Sequence, residues 1–384
     1  MNNEKIEACI YLSSYLDTLG FYNGRWEFKY NQNAYSIPSA LILMETLVYQ
    51  YFVLGGTKIN MSTWNASDDT LLLLATTNAI NNGGGEENYI KEYLKILPRL
   101  EEDKRSAGFQ TLKSLKHLKQ IIQTKQKTYM NDIPIETSMG GNGAAIRTAS
   151  IGLKWFNNVD KIIEESIIAS RLTHNLPIGF LGGLVSALFT SYAFNNIKPW
   201  LWLDKLLELH ESNKIKDYIY TTNLKNKYDE EIDNYFYYWY KYKEDRFSNI
   251  IVSRNKPDFF YPEKSINKLV EYIPNFKKLN KKNEISYNKL GLSGIDSVIY
   301  SYDALLLSII PNNNLEIDLN KVEYNWESII FFGCLHIGDT DSTGAILGAW
   351  YGALNGFKGI DKNKMKELEF FNEIDEIVKK LQKN

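Results

Sequence analysis

Apolar residues recur at three- and four-residue spacing through most of this chain, the periodicity that gathers them on one face of an α-helix. The segments that show it are Ile6 to Leu19, Ala40 to Leu54, Leu71 to Ile80, Tyr89 to Leu97, Leu112 to Ile122, Val159 to Arg171 and Met365 to Leu381. Two-residue alternation bounded by turns is scarce, and no alternating strand–helix–strand order is present. The pattern predicts an all-α protein. Turn signals at Asn82-Gly83-Gly84-Gly85 and Met139-Gly140-Gly141-Asn142-Gly143 separate the predicted helices.

Three stretches depart from simple amphipathic helix. Leu176 to Phe194 carries no charge and approaches the length of a membrane span. Its Pro177, its glycines at 179, 182 and 183 and its hydroxyl side chains favour a buried helix inside a helical protein. Gly344, Gly348, Gly352 and Gly356 recur every four residues and so share one helix face. Glycine costs about 1 kcal/mol relative to alanine in a helix, so such a row predicts a close helix–helix approach. The helix with Gly179 and Gly183 is the expected partner. Asn213 to Ser286 is rich in Tyr, Lys and Asn, and Tyr235 to Tyr240 is expected to be a helix buried on its aromatic side.

Composition narrows the class. The chain has 384 residues, is 44% hydrophobic and 23% charged, and carries 44 Lys and Arg against 46 Asp and Glu. No broad basic field favours nucleic acid. No linker or internal repeat divides residues 1–384, which are expected to form a single domain. Cys9 and Cys334 cannot make a disulfide framework or a four-thiolate zinc site. The N-terminus lacks the basic and apolar regions of a secretory signal. A soluble, cytoplasmic, monomeric protein without membrane or nucleic-acid partners is expected.

Two acidic clusters carry the chemistry. Ser67-Asp68-Asp69-Thr70 and Asp339-Thr340-Asp341-Ser342-Thr343 each combine two carboxylates with hydroxyls and lead directly into an apolar run. Either one alone reads as a helix cap, with carboxylates in the first turn stabilised by about 0.3–1 kcal/mol each. Folded together they would supply four carboxylates, a hard all-oxygen donor set suited to two divalent cations. The chain has no Gly-x-Ser-x-Gly elbow, His-Glu-x-x-His pair or Walker loop. The Gly140 to Ala145 turn could present backbone N–H groups to a phosphate.

These residues resemble the ADP-ribosylglycohydrolase family, and within it the ADP-ribosylarginine hydrolase branch. The resemblance runs through Leu16-Asp17-Thr18-Leu19-Gly20 with Tyr22-Asn23-Gly24-Arg25-Trp26-Glu27-Phe28, then Ser67-Asp68-Asp69-Thr70, then Gly140-Gly141-Asn142-Gly143-Ala144-Ala145-Ile146-Arg147. It continues through Thr173-His174-Asn175-Leu176-Pro177, Ser293-Gly294-Ile295-Asp296 with Tyr302-Asp303-Ala304, and Gly338-Asp339-Thr340-Asp341-Ser342-Thr343.

The resemblance implies a compact all-helical bundle with a central cleft for two metal ions, Mg²⁺ or alternatively Mn²⁺. Ser67, Asp68, Asp69, Asp339, Asp341 and Ser342 would be the ligands. Gly108, Phe109, Gln110 and Asn142 would surround ADP-ribose, His174 would lie near its phosphates, and Tyr287, Asn288 and Ser293 would lie on the adenosine side. Thr340 would approach the reacting ribose. The implied activity is hydrolysis of the N-glycosidic bond between ADP-ribose and arginine on modified proteins, with Asp68 or Asp69 as general base and Glu27 gating the site or meeting the arginyl group. Hydrolysis of serine-linked ADP-ribose or O-acetyl-ADP-ribose, or non-catalytic ADP-ribose binding, are the alternatives. Leu16 and Ile337 stand where the family usually has glycine, and Ile337 is expected to crowd the turn that aims Asp339.

Overall fold

A computed structural model describes residues 2–27, 37–124, 130–136, 140–222, 224, 228–247, 272, 289–310 and 323–383. Its helices are α1 (Asn2–Phe21), α2 (Ile37–Val53), α3 (Asp68–Asn81), α4 (Glu86–Leu100), α5 (Phe109–Thr124), α6 (Ala149–Lys154), α7 (Val159–Arg171) and α8 (Pro177–Phe194). They continue as α9 (Trp202–Glu211), α10 (Lys214–Thr221), α11 (Asp229–Phe247), α12 (Asp296–Leu307), α13 (Trp326–Cys334), α14 (Thr340–Asn355) and α15 (Phe371–Leu381). Among the described residues the only strand pairing is a short antiparallel ladder, Ile309–Ile310 against Glu323–Tyr324. The fold is all-α, as the periodicity predicts.

Local chemistry sets several of the helix starts. Ser67 caps α3 by accepting the Asp69 N–H, Asn158 caps α7 by accepting that of Lys161, and Asn325 caps α13 by accepting that of Ser328. Pro177 opens α8, where its missing N–H and fixed φ cost nothing. The last predicted helix is divided: a 3₁₀ segment spans Lys362–Glu367, and α15 begins only at Phe371.

Three helices are buried around nearly their whole circumference: α1 from Ala8 onward, α8, and α14 from Thr340 to Ala353. Helices buried on all sides belong at the centre of a large core. Among the described residues α8 is the one helix long and apolar enough to cross a membrane, and its side chains are buried within the protein. In α11, Tyr235, Phe236 and Trp239 are buried while Tyr237 and Tyr240 face outward, as expected of a helix buried on its aromatic side.

The glycine row of α14 packs on α1 rather than on the expected α8. A Cβ at Gly344 would stand 2.8 Å from the Leu16 carbonyl oxygen, at Gly348 2.2 Å from that of Leu12, and at Gly352 2.4 Å from that of Ala8. Gly20 reciprocates, since a Cβ there would lie 2.3 Å from the Thr340 carbonyl oxygen. The fourth glycine, Gly356, serves another purpose and ends the helix with φ 64. Contacts that step by four along both chains in opposite directions make α1 and α14 antiparallel and tightly joined. The C-terminal end of α1, with Asp17, is thereby delivered to the N-terminal end of α14, with Asp339 and Asp341.

Candidate metal centre and active site

Asp17 lies in the buried C-terminal half of α1 and is fully buried. Its carboxylate is occupied by the start of α3. It accepts the Ser67 hydroxyl at 2.7 Å, the Ser67 N–H at 3.4 Å, the Thr70 N–H at 3.2 Å and, in a very short contact, the Thr70 hydroxyl. A carboxylate from α1 thus satisfies backbone donors that a helix start leaves open. Asp17 is not among the site residues expected from sequence, although its place in the Leu16-Asp17-Thr18-Leu19-Gly20 motif was a signal for it.

The two acidic clusters meet. Ser342 Oγ donates to Asp69 Oδ2 at 2.8 Å, linking the first turn of α14 to that of α3. Carboxylate oxygens of Asp17, Asp69 and Asp341 lie within 4.8 Å of one another, and so do those of Glu27, Asp339 and Asp341. Asp341 is common to both groups. Two helix N-termini also converge here, and their positive dipole ends favour negative charge.

Burial and mutual repulsion dominate the electrostatics. Burial first, then the neighbouring Asp17, pushes the Asp68 carboxyl up to about 7, although the Gly108 N–H hydrogen-bonds it and pulls the other way. Asp339 is pushed up to about 7 and Asp17 to about 6, in both cases chiefly by burial. Asp69 and Asp341 are driven well above the usual carboxylate range, by burial and then by their acidic neighbours. Glu27 is pushed up to about 10 by burial, Asp341 and Asp68, in that order. So many carboxyls in one low-dielectric place form a poor ensemble of anions and a good receptor for multivalent cations.

The donor set fits such ions. Asp339 Oδ1 is buried with no hydrogen-bond partner. Ser67 Oγ donates to Asp17 and accepts from the Asp69 N–H, which leaves its second lone pair for a ligand bond. Buried carboxylate and hydroxyl oxygens are the ligands that Mg²⁺ and Mn²⁺ favour.

The turn after α1 brings Glu27 to this place. Tyr22, Asn23 and Gly24 have φ of 42, 53 and 72, three successive left-handed residues. Only the last is a glycine, and such a conformation costs other residues roughly 1–2 kcal/mol each. Packing and hydrogen bonds offset that cost. The Tyr22 ring lies 4.2 Å from that of Trp64, the buried Trp26 donates to Gln50 at 2.9 Å, and the Asn23 side-chain carbonyl accepts the Asn65 N–H at 2.7 Å.

The glycine turn flanks the acidic cluster. Asn142 Nδ2 donates to Asp339 Oδ2 and to the Gly291 carbonyl, both at 2.8 Å. The Asn142 N–H is taken by the Leu292 carbonyl and that of Gly294 by the Gly140 carbonyl, so the turn is fastened to the 290–294 loop. His174 lies against the turn: a Cβ at Gly143 would stand 2.7 Å from its ring, which explains the glycine. Its Nδ1 meets the Thr173 hydroxyl at 2.8 Å, and that hydroxyl accepts from Arg147 at 2.6 Å. Burial, followed by the Arg147 charge, holds His174 down to about 3, so its ring is neutral at ordinary pH.

Other expected residues are placed less directly. Ser293 turns its hydroxyl to Asp296 in a very short contact, so its side chain organises its own loop. Thr340 is fully buried and donates to the Gly20 carbonyl at 2.8 Å, toward α1. Gly108 meets Asp68, Phe109 is 75% exposed at the start of α5, and Gln110 is buried and donates to Ser114 at 2.9 Å. A cavity of about 500 Å³ runs from Phe109 and Gln110 along α5 to Pro134 and Glu136, and none of the clustered carboxylates lines it. Tyr287 and Asn288 lie outside the described residues.

Leu16 and Ile337 are accommodated. Leu16 is buried in the core, with its carbonyl, not its side chain, turned to Gly344. Ile337 is buried in the same core and is not among the residues with left-handed backbone. The close contact in that turn belongs to Gly338, where a Cβ would stand 2.0 Å from the Leu290 carbonyl oxygen.

Comparison with known proteins agrees with this architecture. The chain is 33% identical to ADP-ribosylhydrolase ARH1 of Dictyostelium discoideum, over 99% of its own length and 94% of that protein. It is 31% identical to a protein of Acanthamoeba polyphaga mimivirus that bears the ADP-ribosyl glycohydrolase name, over 96% of this chain and 68% of that one. A solved structure titled ADP-ribosylglycohydrolase-related protein complex superposes with a TM-score of 0.54 at 14% identity, covering 100% and 98% of the two chains, and shows the same fold. The profile of the ADP-ribosylglycohydrolase family matches residues 2–384, and with two acidic clusters joined at the helix starts this chain belongs to that family.

Proposed function

We propose that this protein hydrolyses the N-glycosidic bond between ADP-ribose and an arginine side chain of a modified protein, releasing ADP-ribose. The observation that carries the reading is the convergence of Glu27, Asp69, Asp339 and Asp341 through the Ser342–Asp69 hydrogen bond. The arginyl group of the bound substrate is a guanidinium cation, and a site walled by carboxylates suits it; it leaves as guanidine with the electron pair of the broken C–N bond and takes up the proton that water gives to the general base. A serine-linked substrate brings no such charge. The similarity to an ADP-ribosylhydrolase over nearly the full length supports the same chemistry.

In this reading Ser67, Asp68, Asp69, Asp339, Asp341 and Ser342 hold two divalent cations, Mg²⁺ or Mn²⁺. When bound, such ions orient ribose hydroxyls and water and stabilise charge developing at the anomeric carbon. Asp68 is the natural general base toward that water. It is half-buried where Asp69 is buried, and Asp69 is already engaged by Ser342. Glu27, held beside Asp68 and Asp341, meets the guanidinium. Asn142 fixes Asp339, and the neutral His174 lines the glycine turn that faces the phosphates.

A comparison, under one condition, of arginine-linked ADP-ribose, serine-linked ADP-ribose and O-acetyl-ADP-ribose tests the reading. Preferential release from the arginine linkage is expected. Faster turnover of either other substrate would overturn the linkage assignment while leaving the hydrolase chemistry in place.

A further inference from the structure

Ala66, the residue immediately before Ser67, is held from both sides by one ion pair, a buried Arg105 and a more exposed Glu369. Arg105 Nη1 donates to the Ala66 carbonyl at 2.8 Å, and the Ala66 N–H donates to Glu369 Oε2 at 3.1 Å. The two side chains also grip each other bidentately, Nη1 to Oε2 at 2.6 Å and Nη2 to Oε1 at 2.8 Å. Arg105 is 2% exposed, and its guanidinium lies 5.0 Å over the Phe370 ring. Charge-assisted, paired bonds of this kind are short and geometrically exacting.

The neighbours of the pair also reach the acidic site. The short segment that carries Arg105 supplies Ser106 to Glu27 and the Gly108 N–H to Asp68. Glu369 lies between the 3₁₀ segment and α15, and Glu367 at the end of the 3₁₀ segment accepts the Met61 N–H at 3.0 Å. Two pieces of chain remote in sequence therefore fix the backbone that enters α3. Neither Arg105 nor Glu369 is grouped with the carboxylates of the candidate metal site.

We propose that Arg105 and Glu369 form a positioning pair which, by locking Ala66, sets the aim of Ser67, Asp68 and Asp69 and with it the affinity of the site for divalent cations. The inference rests on the metal-site reading above. A ligand displaced by even a fraction of an ångström from a small, rigidly octahedral cation loses much of its contribution. Removing a supporting contact typically weakens metal binding about 10- to 100-fold.

A second bidentate pair supplies the control. Arg99 and Glu373 join α4 to α15 with bonds of 3.1 and 3.1 Å, and their hydrogen bonds do not involve the backbone leading to Ser67. Mg²⁺ binding to the full chain is measured by calorimetry, with thermal melting in EDTA to report folding. Glu369→Gln is expected to melt cooperatively in EDTA and to bind Mg²⁺ at least about tenfold more weakly. Arg105→Lys keeps the charge, loses the two-pronged grip and carries the same expectation. Glu373→Gln is expected to lower the melting temperature and leave Mg²⁺ affinity unchanged. Wild-type affinity in both Glu369→Gln and Arg105→Lys, or an equal loss in Glu373→Gln, overturns the positioning role. Absence of Mg²⁺ binding by the wild-type protein overturns the metal-site reading itself, and the positioning proposal with it.

Discussion

The Ser342 hydroxyl donates a 2.8 Å hydrogen bond to Asp69 Oδ2 across 273 positions of sequence. This bond makes the two acidic clusters one site. It exists because the glycines of α14 let that helix lie directly on α1, and because Asp17 of α1 holds the start of α3.

Neutralising either carboxylate of the first cluster should separate chemistry from folding. Asp68→Asn and Asp69→Asn are expected to fold, to melt in EDTA at or above the wild-type temperature, and to lose at least about 10²-fold in rate. The gain in the metal-free protein follows from removing one of several repelling buried charges. Wild-type rates in both variants would remove these residues from the mechanism.

Acidity should act on the metal-free protein in an unusual direction. Asp17, Asp68 and Asp339 titrate at about 6, 7 and 7 in the fold against an ordinary 3.8. Between those values these carboxyls hold more protons in the folded chain than in the unfolded one and outnumber buried His174 and His336, which hold fewer, so raising the pH lowers stability. Denaturation in EDTA should therefore show a loss on going from about pH 4 to about pH 7, and added Mg²⁺ should restore more at about pH 8 than at about pH 5. A metal-free protein that gains stability across that range would contradict the electrostatic account.

Gly348→Ala should be costly despite the higher helix propensity of alanine. The new methyl would stand 2.2 Å from the Leu12 carbonyl oxygen, which is backbone and cannot swing away. Overpacking of this kind costs about 1–3 kcal/mol, measurable as a lower denaturation midpoint. Stabilisation would mean that α1 and α14 are not in such close contact.

Ile337→Gly should not improve the enzyme. Its side chain is buried in the core and its backbone needs no left-handed conformation. Truncation of a buried isoleucine costs about 2–5 kcal/mol, and the turn that aims Asp339 keeps its close approach through Gly338. A rise in turnover without loss of stability would restore the crowding expectation.

Much of this is legible in the sequence because it is written locally. Helical periodicity finds α1 to α5 and α7 within a few residues and the C-terminal helix more loosely, but it passes over α6, α9, α10, α12 and α13; carboxylates beside hydroxyls before an apolar run announce both acidic helix starts. What is not legible depends on which elements meet. A row of glycines says that a backbone comes close but not whose, so the sequence points to α8 where the fold has α1. Asp17 stands in the Leu16-Asp17-Thr18-Leu19-Gly20 motif, but the motif does not say what the carboxylate does, because its partners are about fifty residues away. Arg105 looks like a surface charge until the fold buries it against Ala66 and Glu369. The 3₁₀ segment before α15 is hidden because Met365 continues the apolar spacing while the backbone turns more tightly.

The most direct test of the central claim is release of ADP-ribose from an ADP-ribosylarginine peptide, with Mg²⁺ and with EDTA, by the wild-type protein and by Asp69→Asn. The account predicts release by the wild-type protein that requires Mg²⁺ and falls at least about 10²-fold in the variant. Release that persists in EDTA, or that Asp69→Asn leaves unchanged, would contradict it.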